Sequence, residues 1–167
     1  MMFEAQTEWI APDNFPDLSG YKLIAIDLET RDPDLKSKGS GAVIGNGEII
    51  GVAVAVDGWC KYYPFGHEGG GNLDKKKILK WVSDVCATKA TKIFHNAMYD
   101  ICWLRSYGIK INGHIVDTMV MASLVDENRM RYTLNALSWE YLGERKNEST
   151  LFEVAKNWGI DAKAELY

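Results

Sequence analysis

The stretch LIAIDLET, Leu23 to Thr30, decides how this chain is read. Four apolar or small residues run into Asp27, and Glu29 follows two places on. The run is short and β-branched, which predicts a strand, and its near-continuous apolarity fits one covered on both faces. Strand side chains alternate, so Asp27 and Glu29 share a face. Two carboxylates so close repel, and burying them is costly unless a cation lies between.

Working outward, APDNFPDLSGY is rich in Pro, Asp and Gly and reads as an extended lead-in arm, residues 1–20 in all. After the first strand, TRDPDLKSKGSGAVIGNGE is a long polar loop of the kind that often carries function. IIGVAVAVDGWCKYYPF reads as two strands joined by the turn Asp57-Gly58. GHEGGGN is a second glycine-rich loop, and LDKKKILKWVSDVCA has the apolar spacing of an amphipathic helix. TKIFH is a short strand, and NAMYDICWLRSYG is a helix closed by Gly108. IKINGHIVD is a turn and a strand. TMVMASLV is a helix with Asp117 as its expected N-cap, and YTLNALSWEYLG is a helix capped by Thr133 and stopped by Gly143. Strands that alternate with helices imply a parallel portion, and the hairpin adds antiparallel strands beside it. The expected fold class is α/β, one mixed sheet with helices on its faces. In such sheets ligands sit beyond the carboxyl ends of the parallel strands, where Asp27 and Glu29 stand.

The chain has 167 residues, enough for one domain with a sizeable core. Its net charge of −4 argues against a protein that coats nucleic acid by bulk charge. It leaves open an enzyme that grips one strand end through metals. Cys60, Cys86 and Cys102 are far apart and odd in number, which fits reduced thiols in a cytosolic protein. No apolar run is long enough for a bilayer, and MMFEAQTEWI lacks the pattern of a signal peptide.

A second acidic element stands in FHNAMYDICWL. Asp100 lies there among Met98, Ile101, Trp103 and Leu104, a poor setting for a solvated carboxylate. IAIDLET, followed about seventy residues later by HNAMYD, resembles the first two motifs of the DEDD 3′–5′ exonucleases. YYPFGHEGGGN, IVDTMVMASLVDEN and YTLNALSWEYLGE are similar to segments of the proofreading domains of family A, phage-type DNA polymerases. The resemblance runs from about Trp9 to Gly143. It implies an RNase H-like fold, a five-stranded mixed sheet flanked by helices, over residues 21–167. It also implies removal of 3′-terminal nucleotides from single-stranded DNA, with a polymerase domain in the same or a companion chain, in the cytoplasm of a bacterial or phage-infected host cell. No membrane partner is expected. An RNase D-like exoribonuclease and a non-catalytic DNA-positioning scaffold are the alternatives.

By that resemblance Asp27, Glu29 and Asp100 are the catalytic residues and the ligands of two Mg²⁺ or Mn²⁺ ions. Asp27 bridges both, Glu29 holds the ion carrying the attacking water, and Asp100 supports the second. Hard cations of this kind take oxygen ligands, and a pair about 4 Å apart activates water and stabilises the leaving oxygen. Thr30 would offer its backbone N–H or hydroxyl to the terminal nucleotide. Asn96 either contacts the strand end or fixes the helix start, and His67 in its glycine-rich loop is a further nucleic-acid candidate. His95 is expected to pack and His114 to be exposed. The lysines 75–77 read as a solvated face. The family's third motif, a Tyr or His followed by Asp, has no match before Tyr167, where Asp161 lacks the partner. The chain is therefore expected to be a fragment, truncated before that motif and weak or inactive by itself.

Overall fold

The computed structural model describes residues 9–68, 71–144, 153 and 156–157. Five strands form the sheet: β1 (Leu23–Arg31), β2 (Glu48–Val56), β3 (Trp59–Pro64), β4 (Thr91–Phe94) and β5 (Ile115–Asp117). Helices α1 (Leu35–Lys38), α2 (Gly41–Ile44), α3 (Lys75–Ala87), α4 (Ala97–Ser106), α5 (Thr118–Val125) and α6 (Leu134–Leu142) are found among the described residues. The sheet order is β3-β2-β1-β4-β5. β2 and β3 form an antiparallel hairpin about Asp57-Gly58, where Gly58 supplies φ +73°, and β2 runs antiparallel to β1. β4 and β5 run parallel to β1. This is the mixed sheet the sequence predicts. The chain divides into two compact units after Thr118, so the whole sheet belongs to the first.

The first strand departs from expectation in one respect. It alternates rather than being covered throughout: Ile24, Ile26 and Leu28 are buried, while Leu23, Asp27 and Glu29 are exposed. The buried face continues through Val52 and Val54 of β2 and Tyr63 of β3. Ile78, Val82, Val85 and Cys86 of α3 and Trp103 and Leu104 of α4 complete that core. Each such apolar side chain contributes about 1.5–3 kcal/mol on burial. Helix α3 starts where Asp74 accepts the Lys77 N–H at 2.9 Å. Residues 9–18 have no regular structure, yet they dock. The Tyr63 hydroxyl donates to the Asn14 carbonyl at 2.9 Å, the Trp81 indole to the Pro16 carbonyl at 2.9 Å, and Phe15 stacks on Tyr63.

One polar side chain lies wholly inside. Lys92 of β4 is 0% exposed. Its ammonium donates to the carbonyls of Thr88 (2.6 Å), Ala90 (3.0 Å) and Asn112 (2.9 Å), with the Thr88 hydroxyl at 3.0 Å. It thereby fastens the α3–β4 turn to the segment before β5, and burial holds it below the usual lysine range.

The long loop after β1 contains α1 and α2, four residues each, which the sequence reading leaves as coil. Lys75 is also not simply solvated. It donates to Glu48 at 3.0 Å and lies over the rings of Phe65 and Tyr107, while Lys76 and Lys77 are exposed. His95 packs as expected, with Nδ1 2.9 Å from the Thr118 hydroxyl, and His114 is exposed. Cys60, Cys86 and Cys102 are free thiols. Among the described residues no helix is long and apolar enough to cross a membrane.

Candidate active site

The site begins where β1 loses a neighbour. β2 pairs with β1 from Ala25 to Arg31, but β4 pairs only with Leu23–Ala25. The chain leaves β4 at Phe94 and turns into α4. Past that point the β4 side of β1 is open to side chains from α4. Asp100, in the first turn of α4, enters there, and its Oδ1 accepts the Leu28 N–H at 3.0 Å. This bond puts the Asp100 carboxylate on the backbone between Asp27 and Glu29. Asp100 is only 4% exposed. Burial, and then the charge of Asp27, push its carboxyl up to about 7, against the opposing pull of the Leu28 N–H. The structure thus sets Asp100 beside Asp27 on β1, with Glu29 on the same strand face as Asp27.

Asp117 holds α4 in that position, a role the sequence reading does not give it. It ends β5, and its carboxylate accepts the N–H groups of Asn96 (3.1 Å) and Ala97 (2.8 Å) at the start of α4. Asn96 sits at the N-cap position with φ 64°, left-handed, and its side chain makes no cap bond. Asparagine tolerates that conformation better than most residues. Its carboxamide is not what fixes the helix start, and the residue is exposed.

Thr30 lies at a bulge in the β1–β2 ladder. The Tyr99 hydroxyl donates to Asp32 Oδ2 at 3.0 Å and is 2.7 Å from Thr30 Oγ1, so the Thr30 hydroxyl donates to it. Asp32 in turn accepts the Gly41 N–H with both oxygens at 3.0 Å. Of the two groups Thr30 was expected to offer, the hydroxyl is engaged in tying the post-β1 loop to α4.

His67 is not a free loop histidine. Asn72 clamps its backbone with two bonds of 2.8 and 2.6 Å, and its Nε2 bonds to the Tyr62 hydroxyl. Burial holds the imidazole below its ordinary range. Tyr62 is the residue that sequence reasoning misses, because the tyrosines read as mostly core. The signal was present: counting back from the Asp57-Gly58 turn pairs Tyr62 with Ala53, and Ala53 with Asp27. Directly opposed residues share a face, so Tyr62 faces the carboxylates rather than the core.

Every donor in this group is oxygen from a carboxylate, the set that Mg²⁺ or Mn²⁺ accepts and zinc does not favour. Among the described residues no three acidic, His or Cys side chains are already gathered into a metal cage. That suits a cation that keeps several waters and completes its shell with phosphate oxygens. In the second unit, Arg131, Thr133, Asn135, Ala136, Trp139 and Glu140 line a separate open groove. Its one carboxylate, Glu140, is bonded to Arg129 at 2.6 Å, so it offers no comparable acidic cluster.

The sequence model of the 3′–5′ exonuclease family matches residues 5–166. The chain belongs to that family. The exonuclease is 33% identical over 168 residues to a DNA-directed DNA polymerase of Pseudomonas phage M6, covering 96% of this chain and 25% of the relative. It is 30% identical over 150 residues to the DNA polymerase DpoZ of Salmonella phage PMBT28, covering 87% and 21%. The chain therefore spans a quarter or less of the phage polymerases it matches. Its fold is similar to that of Brucella melitensis NrnC with bound Mg²⁺, at TM-score 0.56, 19% identity, 93% of this chain and 65% of that one. The sheet of the exonuclease is accordingly RNase H-like. Asp161, the one acidic residue weighed for the third motif, lies outside the described residues.

Proposed function

We propose that this exonuclease acts at the 3′ end of single-stranded DNA, as the proofreading domain of a phage-type polymerase whose polymerase body lies in the same or a companion chain. Residues 21–167 make up the domain in this reading, with residues 1–20 as its arm, at work in the cytoplasm of the infected host cell. Asp27, Glu29 and Asp100 would hold two divalent cations, Mg²⁺ or Mn²⁺. The observation that carries the reading is buried Asp100, pinned to the Leu28 N–H beside Asp27. A buried carboxyl with so high a proton affinity is costly to ionise unless a cation faces it.

Bound cations of this kind supply an activated water and neutralise charge on the leaving oxygen. The chain's own residues set that chemistry up. Asp27 and Glu29 present oxygens from one face of a strand rigidly paired to β2. Asp100 joins them from the opposite side with its carboxylate oriented by the Leu28 N–H. The Thr30–Tyr99–Asp32 chain holds the post-β1 loop against α4, which fixes the rim where the terminal nucleotide would enter. The Thr30 backbone, the Asn96 carboxamide and His67 are the proposed nucleic-acid contacts at that rim. DNA is preferred to RNA because the relatives at 30% identity and above are DNA polymerases.

The test is Asp27→Ala, with Mn²⁺ binding followed by electron paramagnetic resonance in the 167-residue chain and cleavage followed on 5′-labelled single-stranded DNA and RNA in a longer, active form of it. Loss of both Mn²⁺ sites and of all 3′ trimming is expected, because Asp27 would serve both ions. Unchanged Mn²⁺ binding in Asp27→Ala refutes the site, and faster trimming of RNA than of DNA transfers the reading to the RNase D-like alternative.

A further inference from the structure

Tyr62 and Tyr63 are neighbours in β3 with opposite fates. Tyr63 is fully buried in the core, and Tyr62 turns to the face that carries Asp27 and Glu29. Two rows cross the sheet on that face: Asp27, Ala53, Tyr62, and then Glu29, Gly51, Pro64. Tyr62 does not stand upright over its own row. A Cβ placed on Gly51 would lie 1.9 Å from the Tyr62 hydroxyl oxygen and 2.4 Å from its Cζ. The phenol therefore lies along the sheet on the bare backbone of Gly51, the residue directly opposite Glu29. Opposed Cβ positions are about 5 Å apart, so the hydroxyl is within reach of a carboxylate two bonds beyond the Glu29 Cβ. The hydroxyl bonds to His67 Nε2, and His67 is fixed by both backbone bonds to Asn72. Burial, then the charges of Glu29 and Asp27, keep the phenol protonated and able to donate.

We propose that Tyr62 is a positioning residue: its hydroxyl, oriented by His67, donates to the Glu29 carboxylate and sets the direction in which that carboxylate meets its cation. This gives His67 a role through Tyr62 in addition to the strand contact proposed above. The inference rests on the carboxylate site of the proposed function. Outer partners of this kind are typically worth about 10–100-fold in metal affinity or activity.

Tyr62→Phe removes only the hydroxyl and leaves the Gly51 cradle filled. It should weaken Mn²⁺ binding, read by electron paramagnetic resonance, about tenfold. In the longer, active form it should lower kcat on a 5′-labelled oligonucleotide by a similar factor and leave KM within about twofold. His67→Leu should match it, the double variant should be no worse than either single one, and His67→Gln, which keeps an N–H near the Nε2 position, should recover most of the loss. Thermal midpoints near wild type would show that the fold is intact. Tyr62→Phe with normal Mn²⁺ affinity, or with raised KM and normal kcat, overturns the positioning role; the second result would make Tyr62 a strand contact. If Asp27→Ala leaves Mn²⁺ binding untouched, or wild type binds none, the carboxylate site falls and this inference with it. Metal binding lost in Asp27→Ala but insensitive to Tyr62→Phe overturns Tyr62 alone.

Discussion

Asp100→Asn separates the cost of the buried carboxylate from its use. The carboxyl rises from an ordinary 3.8 to about 7 in the folded chain. Between these values the unfolded chain has released the proton and the folded chain has kept it. Stability from this group is therefore greatest at acid pH, falls as the pH rises from about 4 to about 7, and stays low above that. The rise spans about three pH units at about 1.4 kcal/mol each, so the full cost of ionising Asp100 in the fold is about 4 kcal/mol. Asparagine keeps the acceptor for the Leu28 N–H and places its new N–H donors toward the Asp27 carboxylate. In EDTA at pH 8, Asp100→Asn should be more stable than wild type by about 1–4 kcal/mol, the lower end applying where water enters to solvate the wild-type anion. At pH 4 the two should be nearly equal. Added Mn²⁺ should raise the wild-type midpoint and move the variant little, since the cation replaces the proton that Asp100 otherwise retains. Urea melts at pH 4, 6 and 8, with EDTA and with Mn²⁺, measure all of this. A variant less stable than wild type at pH 8 in EDTA, or one with the same pH slope, would refute the reasoning, because the carboxylate would then be a stabilising group and not a strained one.

Asp117→Ala removes the acceptor of two N–H groups at the start of α4 and should cost about 1–2 kcal/mol in a denaturant melt. Because that carboxylate sets the helix that carries Asp100, Mn²⁺ affinity should fall too, and a variant with lower stability but normal affinity would show that α4 is positioned by its packing alone. Lys92→Met keeps the volume and leaves three carbonyls without their donor, so a loss of about 2–4 kcal/mol is expected, with cleavage unchanged once the folded fraction is allowed for.

What was legible in the sequence followed periods of two or three to four residues. Alternation in LIAIDLET placed Asp27 and Glu29 on one face, and the Asp57-Gly58 turn fixed the hairpin and so the strand beside them. Asp100 was legible because a carboxylate among Ile101, Trp103 and Leu104 contradicts its surroundings. What was missed depends on contacts between distant segments. Asp117 precedes α5, and nothing in its local sequence shows that its carboxylate reaches the start of α4, 20 residues earlier. Tyr62 could be told from Tyr63 only through the register across three strands. The short α1 and α2 have too few residues to show a period, and Gly41 is required there because a Cβ would lie 1.7 Å from the Asn46 carbonyl oxygen.

Lys92 gives the molecule a built-in reporter of its own opening. Burial lowers its proton affinity, yet all its hydrogens are spoken for and no reagent reaches it. The exposed Lys76 and Lys77 react with an acylating reagent at rates set by the reagent. Lys92 reacts at a rate set by the turn between α3 and β4 coming away from the segment before β5. Mass spectrometry after timed acylation would thus read, from a single peptide, how often the parallel half of the sheet comes apart under native conditions.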